Sequence, residues 1–103
     1  MVTIFYARVV QIKPLPHSEM KKTHPEIVGA FLTCFIPANN LKMAKLRLKT
    51  ALLEDGYELV NIKEIVDFSK CELTDKKVLK EYSSMAWEAK MKDVVIYAAF
   101  YCF

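Results

Sequence analysis

Residues 94–103 read VVIYAAFYCF, ten apolar residues with no charge, no Gly and no Pro. Ten residues are half of what a membrane-crossing helix needs. The density of Val, Ile, Tyr and Phe favours a strand. On ideal alternation Val95, Tyr97, Ala99, Tyr101 and Phe103 share one face, and Val94, Ile96, Ala98, Phe100 and Cys102 the other. A strand that is apolar on both faces is covered on both. The run therefore predicts an inner strand, with helices on one side and something else on the other.

Working outward, Lys92-Asp93 forms the turn into this strand. Before it, the spacing of Val78, Leu79, Tyr82, Met85, Ala86 and Ala89 predicts a helix from a Thr74 cap to about Met91. Tyr57 to Phe68 reads as a longer, more polar strand, with Glu58, Asn61, Lys63, Glu64 and Asp67, which suits a sheet edge. Asp55-Gly56 closes another helix, capped at Asn39 or Asn40, whose core stripe is Leu41, Ala44, Leu48, Ala51 and Leu52. Ile27 to Ile36 is a second two-sided apolar strand, with Pro37 as its stop. Thr3 to Ile12 is the first strand. Lys13 to Glu26, with Pro14, Pro16 and Pro25, reads as a long wet loop with room for one helical turn.

The order β-β-α-β-α-β, with one core stripe per helix, predicts one α+β domain over residues 1–103. The expected architecture is a two-layer sandwich, a four-stranded mixed sheet with both helices on one face. It loosely resembles the ferredoxin-like group, although that group runs β-α-β-β-α-β. The resemblance is one of fold alone and implies no function.

Composition narrows the function classes. Hydrophobic residues make up 53% and charged residues 26%, enough for a packed core. The net charge of +3 does not demand a nucleic-acid partner. The basic helix residues Lys42, Lys45, Arg47 and Lys49 could meet phosphates, but no RNP-like motif accompanies them. Three cysteines without CxxC spacing read as reduced thiols in a cytoplasmic protein. The N-terminus MVTIFYARVV has no signal-peptide pattern, and no stretch predicts a membrane span.

No motif assigns catalysis, a cofactor or a metal. Gly29 and Gly56 are the two glycines, which excludes phosphate-cradling loops. His17, Glu19 and His24 share a loop but lack metal-ligand spacing. The expectation is a self-associating interaction or regulatory module, a sheet-to-sheet homodimer with room for a further protein partner. The sheet face opposite the helices would otherwise present a large apolar area to water. Its interface candidates are Phe31, Phe35, Tyr97, Tyr101 and Phe103, with Trp87 on the outer side of its helix. The alternative is a small-molecule-binding protein or enzyme with its pocket between the open sheet face and loop 13–26. Its ligand candidates are Tyr6, Arg8, His17 and His24.

Overall fold

The computed structural model describes residues 2–103. Its elements are β1 (Thr3–Pro14), α1 (Glu19–Thr23), β2 (Ala30–Ala38), α2 (Leu41–Glu54), β3 (Tyr57–Asp67), a 3-10 turn (Phe68–Lys70), α3 (Lys76–Lys92) and β4 (Ile96–Cys102). The sheet order is β3-β1-β2-β4. All three pairings are antiparallel, so the sheet is not mixed. Among the described residues no helix is long and apolar enough to cross a membrane.

Local chemistry sets the helix ends. The Asn40 side chain accepts the Met43 N–H and starts α2, and Asp75 rather than Thr74 does the same for α3 through Lys77 and Val78. Gly56 follows α2 at φ +89°. A Cβ there would also lie 2.9 Å from the Ser18 side chain, so this turn needs glycine. Pro37 does not stop β2; it is buried within it, next to Ala38.

The two long helices lie on opposite faces of the sheet, not on one. The register pairs Ala7 with Cys34 and Tyr6 with Phe35. Neighbouring pairs on a strand face opposite ways. Ala7, Cys34, Leu32 and Ile36 pack with Ala44, Leu48 and Leu52 of α2. Tyr6 and Phe35 pack with Tyr82, Met85, Ala86 and Ala89 of α3. The fold is thus three layers, helix, sheet and helix, with two separate cores. Double cover explains the two-sided apolarity of β2, and of β4 only over Ile96–Ala98.

Three bulges shape the sheet; one lies on β3 between Leu59 and Asn61, opposite Gln11 and Ile12, and the other two fall at residues with positive φ. Val9 and Ala99 both have φ 50°. The register shifts between Ala7 and Val10 on β1, and between Phe31 and Thr33 on β2 against β4. Each extra residue inverts the alternation beyond it. Val10 and Ile12 therefore return to the α2 core. On β4, Tyr97 faces α2, while Tyr101, opposite Phe31, lies on the α3 face. The simple alternation that grouped Tyr97 with Tyr101 fails at Ala99.

Candidate interaction surface

α3 covers only part of its face. Its core contacts reach Ile4, Tyr6, Phe35, Val66, Ile96 and Ala98, all on the half of the sheet that ends at Ala38. Beyond the bulges at Val9 and Ala99 the same face carries Phe31, Tyr101 and Phe103 in the open. Tyr101 is 71% exposed, and Phe31 and Phe103 are also exposed. The Phe31 and Phe103 rings lie 5.0 Å apart, within aromatic-pair range.

Backbone bonds hold this patch. The Val28 and Gly29 N–H groups donate to the Phe103 carbonyl at 2.8 and 3.1 Å. The Phe103 N–H returns a bond to the Gly29 carbonyl at 2.9 Å. A Cβ on Gly29 would come within 2.5 Å of the Phe103 ring, so the absent side chain seats that ring.

The patch borders a bare edge. β4 pairs only with β2 and is an edge strand, not an inner one. It carries no charge and no proline from Ile96 to Cys102. The other edge, β3, is defended as the sequence predicts. Its Glu58 and Glu64 meet Lys13 and Arg8 of β1 at 3.1 and 3.7 Å, and Lys63 is exposed beside them. Charged side chains of this kind discourage strand addition. β4 has none.

Of the interface candidates, Phe31, Tyr101 and Phe103 come together at this edge. Phe35 is fully buried beneath α3 and is a core residue, because the face taken as open is covered there. Tyr97 is half-buried on the α2 face, and its hydroxyl donates to Asp55 Oδ2 at 3.0 Å. Burial, and then Asp55, push the Tyr97 phenol well above its ordinary range. Trp87 is 63% exposed but lies at the other end of α3, in a groove with Val2, Phe68, Ser83 and Lys90.

The ligand candidates separate. Tyr6 and Arg8 line one cleft on the α3 face. His17 and His24 are exposed around α1, and His24 Nδ1 lies 3.4 Å from Glu26. Loop 13–26 folds against the α2–β3 turn, where the Leu15 N–H donates to the Gly56 carbonyl. It does not line the cleft that holds Tyr6 and Arg8. Among the described residues no group of three His, Cys, Asp or Glu side chains is placed to hold a metal.

What the sequence reading missed is the edge itself. That β4 is uncharged and β3 charged is visible in the sequence, but their places at the two edges are not. Comparison with known proteins gives no further guide: no family model, no curated protein and no solved structure matches the chain.

Proposed function

We propose that this protein is a non-catalytic interaction module that assembles as a two-fold dimer through β4. Antiparallel pairing of β4 with its copy joins two four-stranded sheets into one of eight strands. The observation that carries the reading is the contrast between the two edges: β3 bears charges and β4 bears none. A second copy suits this edge because the pairing is self-complementary. An uncharged strand meets an uncharged strand, and two-fold contacts are the commonest in oligomers. Each copy adds its Phe31, Tyr101 and Phe103 patch beside the new strand pair, which supplies apolar area that backbone hydrogen bonds lack.

This replaces face-to-face packing, which α3 would obstruct. The test is solution mass by analytical ultracentrifugation across micromolar concentrations. The expected result is twice the chain mass of 11.9 kDa. Phe100→Lys/Tyr101→Lys places charges on the edge, as β3 does, and is expected to yield a folded monomer. A wild type already monomeric, or a double variant still dimeric, would overturn the reading.

A further inference from the structure

One cleft combines a buried phenol with charged side chains whose polar atoms are only partly engaged. It opens on the α3 face between β1, β3 and the chain that leaves the 3-10 turn, and holds about 440 Å³. Tyr6, Arg8, Glu64, Val66 and Leu73 line it.

Tyr6 is the informative member. It is only 6% exposed. Its ring is held by Phe35, Phe68 and Tyr82 at centroid distances of 5.5, 6.0 and 5.7 Å. A ring fixed on three sides fixes its hydroxyl. Yet among the described residues Tyr97 is the tyrosine whose hydroxyl is hydrogen-bonded, and Tyr6 is not. Its oxygen is not sealed from solvent either, since among the described residues no enclosed side-chain oxygen lacks a partner. Burial, then the Tyr82 phenol, raise the Tyr6 pKa, so the group is a neutral donor at any physiological pH. A nine-tenths buried phenol with a free hydroxyl at the wall of a cleft is a preformed anchor for a ligand.

The charges at the mouth narrow the ligand. Arg8 Nη1 lies 3.7 Å from Glu64 Oε2, too far for a tight charge-assisted bond. Both side chains are about half exposed. The pair therefore leaves guanidinium donors and carboxylate lone pairs free. Lys70, Asp67 and Glu72 complete the rim. Two positive groups against three negative ones repel a strong anion and give a lone cation little net gain. A ligand that carries both signs fits best, while Val66 and Leu73 offer an apolar wall.

We propose that this cleft binds a small zwitterion of the free amino acid class. Its carboxylate sits on Arg8 and the Tyr6 hydroxyl, its ammonium on Glu64, and its side chain against Val66 and Leu73. The test is thermal shift followed by calorimetry with each free L-amino acid at millimolar concentration. The strongest binder is then compared with its N-acetyl and carboxamide forms, each of which lacks one charge. At least one amino acid is expected to raise Tm saturably, and neither capped form is expected to do so. Tyr6→Phe removes only an unbonded hydroxyl and should fold normally. It and Arg8→Gln are each expected to weaken binding about tenfold, the loss of one good polar contact. The proposal is overturned if no amino acid binds, if a capped form binds as tightly, or if Arg8→Gln binds like the wild type. Solution mass is a separate readout, so this result and the dimer result stand independently.

Discussion

Arg47 and Asp93, 46 positions apart, meet where the two helical layers pass the end of the sheet. Arg47 Nη1 donates to Asp93 Oδ1 at 2.8 Å and to the Pro37 carbonyl at 2.9 Å, and Nη2 donates to the Asp93 carbonyl. Asp93 is the left-handed cap of α3, at φ 53°. One guanidinium of α2 thus ties the end of α3, the turn into β4 and the body of β2. Helices on opposite faces cannot touch through side-chain packing, so this clamp is a link between the layers.

The clamp predicts unequal costs for its two ends. An exposed ion pair alone is worth at most about 1 kcal/mol. Arg47→Met also removes the bonds to two backbone carbonyls, that of Pro37 part-buried, and is expected to cost about 2 kcal/mol. Asp93→Asn keeps the carbonyl contact and tolerates the left-handed backbone, so its cost should stay near 0.5 kcal/mol. Urea unfolding measures both. Equal losses would place the clamp in the carboxylate instead.

Two cores on either side of a sheet should behave as separate units. Phe35→Leu is expected to cost about 1–2 kcal/mol and Leu48→Ala about 2–5. Because Phe35 belongs to the α3 core and Leu48 to the α2 core, the double variant should add to within about 0.5 kcal/mol. Phe35 and Tyr82 share one core, with rings 5.4 Å apart in an edge contact. Phe35→Leu with Tyr82→Leu should miss additivity by about 0.5 kcal/mol or more. The same urea series decides it; coupling between Phe35 and Leu48 would contradict the three-layer arrangement.

The bulges store strain that glycine would release. A β-branched residue at positive φ is an outlier, and Val9 sits at φ 50° with Ala99 at the same angle. Val9→Gly and Ala99→Gly are each expected to raise stability by about 1 kcal/mol, less the entropy that glycine adds to the unfolded chain. Gly56→Ala is the converse, since φ +89° and the Ser18 side chain both oppose a Cβ there. It should lose about 1–3 kcal/mol. A shift of Tm in the opposite direction for Val9→Gly would mean that the bulge is unstrained.

These positions also show what the sequence could and could not say. The Asn39-Asn40 pair, Asp55-Gly56 and the apolar stripe placed α2 to within a residue, because caps and periodicity are local signals, although Leu41 of that stripe is exposed. The two-sided apolarity of β2 and β4 was equally legible; in β2 it was the sign of double cover, whereas in β4 it marked an edge strand whose second half is exposed. Which face each helix took was not legible, since one stripe per helix does not name the side of the sheet. Nothing in Ala98-Ala99-Phe100 announced a bulge, as alanine lacks the glycine signature of positive φ. That one residue moved Tyr101 away from Tyr97 and onto the patch with Phe31. The bare edge depended on strand order, which is a long-range property. Arg8 and Tyr6 fell together by strand alternation, whereas their proximity to Glu64 needed the β1–β3 register.

The last prediction concerns alkaline stability. Cys34 is fully buried in the α2 core, and burial pushes its thiol from 9.0 up to about 12. Between these values the unfolded chain loses the thiol proton and the native chain keeps it. The unfolded state then binds fewer protons, so stability falls as pH rises. The contribution is fully present below pH 9 and is lost as pH approaches 12, with a limiting slope of about 1.4 kcal/mol per pH unit. Tyr57 and Cys71, also raised by burial, act in the same direction. Cys34→Ala should cost about 1 kcal/mol near neutrality through lost packing, yet fall less steeply above pH 9. Urea midpoints for both proteins across that range give the comparison. Parallel curves would show that Cys34 titrates alike in the folded and unfolded chains, and would remove the thiol from the account.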